Sequence, residues 1–246
     1  MILSPGPNKT QEQGIHHGDC RRLARDIPDN TLDLILTDPP YFKKDLPLYQ
    51  WLAQAAARLL KPGGWVLFMA GHIYIPKIYA YFEAQLELNY YMQYSILMNG
   101  QRSGVIWTRA NGQRKPIIQR NKLIVAYSKG RAVPRLGTIG VFTGTRNDKR
   151  YHLQGQAAAP FRYYIDCFSA RDDLVFDPFA GGGTTPAMAK LTARRWLAFD
   201  IDPKAVATTR QRLADTPTMP DHYQPPADPP VPHDGQATAS QPEPTP

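Results

Sequence analysis

The chain has 246 residues, is 42% hydrophobic and 20% charged, and carries a net charge of +8. That length suits one large α/β domain or two small ones, and the composition is ordinary for a soluble globular protein. No apolar run reaches the roughly 18 residues that a membrane helix needs, and two cysteines, Cys20 and Cys167, are too few for a disulfide framework or a cysteine-based zinc site.

The opening segment MILSPGPNKTQEQG lacks the charged start and apolar core of a secretory signal, so the expected location is the cytoplasm. The charge is unevenly spread. Residues 101–150 hold twelve Lys and Arg against Asp148 alone, whereas residues 1–100 hold nine of each sign. A focused positive segment suits a polyanion such as nucleic acid, the alternative being a solvated basic face with no partner.

Residues 1–14 read as a flexible lead. A short apolar stretch then reaches Gly18-Asp19-Cys20, and a helical turn or two runs from Leu23 to Ile27. Pro28, Asp29 and Asn30 make a turn. LDLILT is a short buried strand, because its apolar run is nearly continuous and bounded by turn signals. A helix from Tyr49 to Leu60 follows, with Lys61-Pro62-Gly63-Gly64 as its stop, and WVLFMAG is the next strand. IYIPKIYAYFEAQLEL reads as a helix. NYYMQYSILMN, GVIWTR and NKLIVAYS read as strands, with RANGQRKPIIQRN and GTIGVFTGTRNDKR as basic loops.

The second half alternates again. FRYYIDCFSA is a helix, LVFDPFAGGGTT a strand running into a glycine turn, TPAMAKLTARR a helix, WLAFDID a strand and PKAVATTRQRL a helix. Strands alternating with helices indicate an α/β fold, a mostly parallel sheet with helices on both faces. Residues 216–246 hold ten of the 24 prolines and few large aliphatics. Such a tail cannot bury enough apolar surface to offset its ordering entropy, so it is expected to be disordered. The domain therefore spans residues 15–215.

Two stretches carry chemistry. In VFDPFAGGGTT a strand ends at Asp177 and a glycine turn opens a helix, which lets a ligand approach the backbone where no Cβ blocks it. Asp200 ends the next strand, 23 residues on, where a carboxylate can accept hydrogen bonds from two ribose hydroxyls. No G-x-x-x-x-G-K-[ST] is present, which argues against a nucleoside triphosphatase. The other stretch is Asp38-Pro39-Pro40-Tyr41, directly after LILT. Alone, the glycine stretch is a moderate signal, because glycine-rich turns are common, and DPPY reads equally as a turn.

Together they resemble the β-class of amino-methyltransferases that modify exocyclic nitrogens of DNA bases. That family carries DPPY ahead of F-x-G-x-G, and here Asp38-Pro39-Pro40-Tyr41 precedes Phe179-Ala180-Gly181-Gly182-Gly183. GDC with PDNTLDLILTDPPY, and WLAFDIDPKAVATTRQRL, extend the likeness over roughly residues 15 to 214. The resemblance implies a Rossmann-like methyltransferase fold and S-adenosylmethionine as the methyl donor. Asp177, Phe179, Ala180, Gly181, Gly183 and Thr184 would shape its pocket. Asp200, where the family more often has glutamate, would hold its ribose, and Asp19 and Cys20 would lie near its adenine. The same resemblance implies double-stranded DNA as substrate, and it makes a homodimer and a cognate restriction enzyme candidate partners.

An exocyclic amine is a poor nucleophile, because its lone pair is delocalised into the ring. The Asp38 carboxylate and the Pro39 carbonyl can each accept one of its N–H bonds, and the prolines aim that carbonyl in advance. The amine is paired inside a duplex, so the base must be extruded, and Tyr41 is the ring on which it can stack. Arg109, Arg114, Lys115, Arg120 and Lys122 are the candidate DNA contacts. An Asp-led motif favours N6 of adenine, with N4 of cytosine as the alternative. A non-catalytic nucleic-acid-binding module is the rival from another class. Adjacent His16 and His17 point apart on a strand with no third ligand in view, so no metal is expected. Cys167, Tyr163 and Tyr164 read as packing residues.

Overall fold

The computed structural model describes residues 13–98, 104–110, 113–145 and 158–218. The expected lead is described only from residue 13 on, and the expected proline-rich tail lies outside the described residues beyond residue 218.

Among the described residues, ten strands and six α-helices follow one another. β1 (Gly14–His17), α1 (Cys20–Leu23), β2 (Leu32–Thr37), α2 (Leu46–Leu59), β3 (Leu60–Ala70), α3 (Ile75–Glu83) and β4 (Leu88–Met98) form the first half. β5 (Gly104–Ala110), β6 (Gln113–Gln119), β7 (Asn121–Lys129) and β8 (Val141–Thr145) come next, all strands. α4 (Ala158–Phe168), β9 (Leu174–Asp177), α5 (Thr184–Leu191), β10 (Arg195–Asp200) and α6 (Pro203–Asp215) complete the chain.

Eight strands make one sheet in the order β1-β10-β9-β2-β3-β7-β4-β8, while β5 and β6 form a separate antiparallel ribbon. β1, β10, β9, β2 and β3 are mutually parallel, and β7 runs antiparallel between β3 and β4. β9 and β2 are neighbours although 136 residues separate the end of one from the start of the other in sequence. Chain connections leave this pair in opposite directions, which opens a crevice at their carboxyl ends.

Side-chain alternation explains the burial on both faces. Ile35, Val66, Phe68, Val125, Phe176 and Phe199 pack with α2 and α3 on one face. Leu34, Leu36, Leu67, Ile124 and Val175 pack with α4 and α5 on the other. Tyr164 and Cys167 are wholly buried in that second layer, as their reading as packing residues requires.

The structure corrects several boundaries. α2 begins at Leu46 rather than Tyr49, because Pro47 sits in its first turn, where its missing N–H costs nothing. Lys61–Gly64 is a bulge inside β3 rather than a terminating turn: the pairing jumps from Leu32↔Leu60 to Leu34↔Trp65. The basic loops hold strands. RANGQRKPIIQRN contains β6, and its Pro116 is tolerated because each strand of a two-stranded ribbon keeps a free edge. GTIGVFTGTRNDKR contains β8, which pairs parallel to β4.

Candidate active site

The carboxyl ends of β1, β10, β9 and β2 deliver Asp19, Asp200, Asp177 and Asp38 to one edge of the sheet. The glycine turn that follows β9 is built for close approach. Gly181 and Gly183 have φ of +52° and +71°, a region that side chains disfavour. A Cβ on Gly183 would stand 2.8 Å from Thr209 Cγ2, so α6 seals the inner side of the turn. A Cβ on Gly181 would meet only the Phe179 carbonyl oxygen, at 4.0 Å, so the outer side is open.

α6 holds this turn from behind. The Thr209 hydroxyl donates to the Gly181 carbonyl at 3.0 Å. The buried Arg212 guanidinium donates to the Gly182 carbonyl at 3.0 Å and to Thr184 Oγ1 at 2.8 Å. Sequence reading missed both residues. A signal was present, since Ala205, Val206, Thr209, Arg212 and Leu213 recur at helical spacing, and an arginine on such a face needs a buried partner.

Asp200 is already engaged. Its Oδ2 accepts from the Gly181 amide at 2.7 Å and its Oδ1 from the Asp202 amide at 2.8 Å. Each carboxylate oxygen retains a lone pair for a further donor. Asp19 caps α1 and forms an ion pair with Arg21 at 2.6 Å, which holds its carboxyl below the usual range. Cys20 turns its side chain into the core, and burial pushes its thiol up to about 12. Phe179 meets Trp51 edge-on, with ring centres 6.1 Å apart, and Ala180 and Thr184 are buried in the turn.

Asp177 lies beneath the crevice, 4% exposed. Its Oδ1 accepts from the Thr37 hydroxyl at 2.6 Å and from the Phe179 amide at 3.1 Å. Burial raises its pKa to about 7, and the neighbouring Asp200 charge adds to the rise. The hydrogen bonds from Thr37, Phe179 and Thr185 oppose it. Thr37 ends the strand that delivers Asp38, so the two motifs share a side-chain hydrogen bond. Sequence reading assigned nothing to Thr37.

At the lip, the Tyr41 hydroxyl donates to Asp38 Oδ1. Tyr41 as a residue is 38% exposed, and Phe42 beside it is 70% exposed. Tyr49 donates to the Met69 carbonyl at 3.1 Å and lies 3.5 Å from the Pro39 carbonyl oxygen, a contact too long to engage that acceptor. Pro40 is exposed.

The basic candidates divide. Arg109 and Arg114 face each other in the β5–β6 register, Lys115 follows on β6, and Arg120 links β6 to β7. Lys115 and Arg120 are exposed. The ribbon is inserted between the end of β4 and the start of β7. Both lie at the sheet edge that carries Asp38, because β4 is antiparallel to β7 and β7 is antiparallel to β3. Lys122 lies within β7 and is half-buried. His17 lies with Nε2 3.1 Å from the Ile201 carbonyl, and His16 packs edge-on to Phe199.

A family model described as DNA methylase matches residues 144–211. The type II methyltransferase M.BglII of Bacillus subtilis is 24% identical over 82% of this chain and 69% of its own length. The solved M1.HpyAVI–SAM complex superposes with a TM-score of 0.67 at 21% identity, over 81% of this chain and 98% of that one. The PvuII DNA methyltransferase, described as cytosine-N4-specific, superposes with a TM-score of 0.69 at 16% identity, over 87% and 89%. The likeness to the solved structures establishes a Rossmann-like methyltransferase fold. No helix among the described residues is long and apolar enough to cross a membrane. With DPPY and the glycine turn at one sheet edge, the family model and the curated relatives point the same way: the chain is similar to the N6/N4 DNA methylases.

Proposed function

We propose that this protein transfers the methyl group of S-adenosylmethionine to the exocyclic amine of a base extruded from duplex DNA, with N6 of adenine as the target. The observation that carries this reading is the convergence at one sheet edge of the Asp38 lip and a glycine turn open on its outer side. The residues fit the donor. Asp200 has lone pairs for ribose hydroxyls, Asp19 stands after the neighbouring strand β1 as the candidate for the adenine side, and the open face of Gly181 admits close contact.

S-adenosylmethionine supplies an electrophilic methyl group on a sulfonium. The chain supplies the rest. Asp38 and the Pro39 carbonyl accept the two N–H bonds of the amine, drawing its nitrogen toward a tetrahedral shape and localising the lone pair. Holding nucleophile and donor in line removes roughly 7–11 kcal/mol of the barrier in well-oriented systems. The nitrogen loses a proton readily once methylated, so no strong base is required. Tyr41, partly exposed at the lip, offers its ring for stacking on an extruded base, which returns about 1–3 kcal/mol. Arg109, Arg114, Lys115 and Arg120 on and after the ribbon neutralise DNA phosphates and fix the register of the duplex.

The Asp-led motif supports adenine. The structural likeness to a cytosine-N4-specific enzyme makes N4 of cytosine the second reading. Single-molecule sequencing of DNA from cells expressing the protein separates them, since it reports the modified base and its context together. N6-methyladenine in a short recurrent context is expected. N4-methylcytosine would replace the adenine reading, and unmodified DNA together with no binding of S-adenosylmethionine would indicate a non-catalytic module.

A further inference from the structure

Two parts of the chain meet at the lip: Tyr41, bonded to Asp38, and the start of β7, which carries Lys122. Tyr41 reaches back three residues, and its hydroxyl donates to Asp38 Oδ1. The stem of that ring is seated by Gly71, where a Cβ would come within 3.2 Å of Tyr41 Cβ. Gly71 follows the last residue of β3, and Ala70 pairs with Leu123 in β7. The next residue of β7 outward is therefore Lys122, at the level of Gly71. His72 ties the same corner down, with Nε2 3.4 Å from the Asn121 carbonyl oxygen.

Lys122 is half-buried here, unlike the exposed Lys115 and Arg120. Burial lowers the pKa of its ammonium from the ordinary lysine value, and the charge of Asp38 acts against that fall. A lysine that serves a DNA phosphate gains nothing from partial burial in a protein corner. A lysine near a carboxylate recovers part of the cost of burial, because the lower dielectric strengthens the attraction.

We propose that Tyr41 and Lys122 are positioning residues that clamp the Asp38 carboxylate for the incoming amine, so that Lys122 serves the reaction site rather than the DNA backbone. A carboxylate offers about four lone-pair sites. The clamp can therefore stay in place while Asp38 accepts an N–H from the amine. The Tyr41 hydroxyl also ties the stacking ring to the acceptor, so the base plane and the amine acceptor are set by one hydrogen bond. This inference rests on the reading of Asp38 as the acceptor of the amine.

The test compares Tyr41→Phe, Lys122→Met and the double variant with the unaltered protein and with Asp38→Ala, all folded by thermal unfolding. Turnover at saturating DNA, DNA affinity over a range of salt, and extrusion of a fluorescent 2-aminopurine at the target position are measured. Tyr41→Phe keeps the ring, so extrusion should persist while kcat falls about tenfold, one RT ln 10 of transition-state stabilisation. Lys122→Met should lower kcat similarly and leave the salt slope of binding unchanged. The double variant should lose less than the product of the two, because both restrain one carboxylate. Unaltered kcat in Tyr41→Phe, or a salt slope reduced by about 0.9 with unaltered kcat in Lys122→Met, overturns the clamp. If those single variants are active while Asp38→Ala is dead, the clamp alone fails. If Asp38→Ala is active, the reading beneath it fails as well.

Discussion

The Thr37 hydroxyl donates to Asp177 across 2.6 Å, although 140 positions separate the two in the chain. It joins the last residue before the DPPY motif to the carboxylate that begins the glycine turn. Replacing Thr37 with Val keeps the shape and removes the donor. A buried carboxyl that loses a partner costs about 1–3 kcal/mol. Urea unfolding should show a loss of that size, together with weaker binding of S-adenosylmethionine, because the two halves of the crevice lose their link.

Asp177 also makes stability depend on pH. Its folded pKa of about 7 lies above the ordinary 3.8, so the folded state holds the proton more tightly than the unfolded chain does. This contribution is full below about pH 4 and disappears as pH rises through 7. At about 1.4 kcal/mol per pKa unit the difference is on the order of 4 kcal/mol. Asp177→Asn removes the titration. The unfolding free energy of the parent relative to that of the variant should fall as pH is raised from 4 to 8, so that the variant gains on the parent at high pH. A difference constant across that range would contradict the assignment.

Gly183→Ala tests the seal between the turn and α6. The new methyl needs a positive φ and would meet Thr209 at 2.8 Å. Strain of this type costs about 1–3 kcal/mol. Calorimetric titration should show S-adenosylmethionine affinity reduced by at least about tenfold, equivalent to 1.4 kcal/mol. Arg212→Met should weaken the same binding, because it strips the Gly182 carbonyl and Thr184 of their donor.

Asp38→Ala should bind duplex DNA with nearly unchanged affinity and lose methyl transfer by about 10²–10³-fold or more, as when one preorganised polar group is removed from a reaction site. Turnover near that of the parent would exclude Asp38 as the acceptor.

Converting Arg114, Lys115 and Arg120 to Gln should weaken DNA binding at low salt. The slope of log affinity against log salt should fall by about 0.9 for each phosphate contact removed, because fewer counterions are released. An unchanged slope would move the DNA interface away from the β5–β6 ribbon.

Much of this was legible from local sequence. LDLILT, VFD and WLAFD carry the near-continuous apolar runs of strands buried on both faces, and the prolines and glycines mark where each strand stops. Those signals act between near neighbours in the chain, so the sequence by itself determined the alternating elements, the two motifs and the family resemblance. It did not determine the ribbon. β6 and β8 are short, polar and interrupted by Pro116 and Gly144, so their pairing with β5 and β4 outweighs their weak intrinsic preference.

Only the tertiary structure decided which residues meet. Thr37 joins Asp177, Thr209 and Arg212 support the glycine turn, and Lys122 is half-buried in β7 rather than among the exposed basic residues. Each of these depends on strand order and register. A register is set by the packing of whole faces, so a buried hydroxyl or a displaced lysine leaves almost no local trace in the sequence.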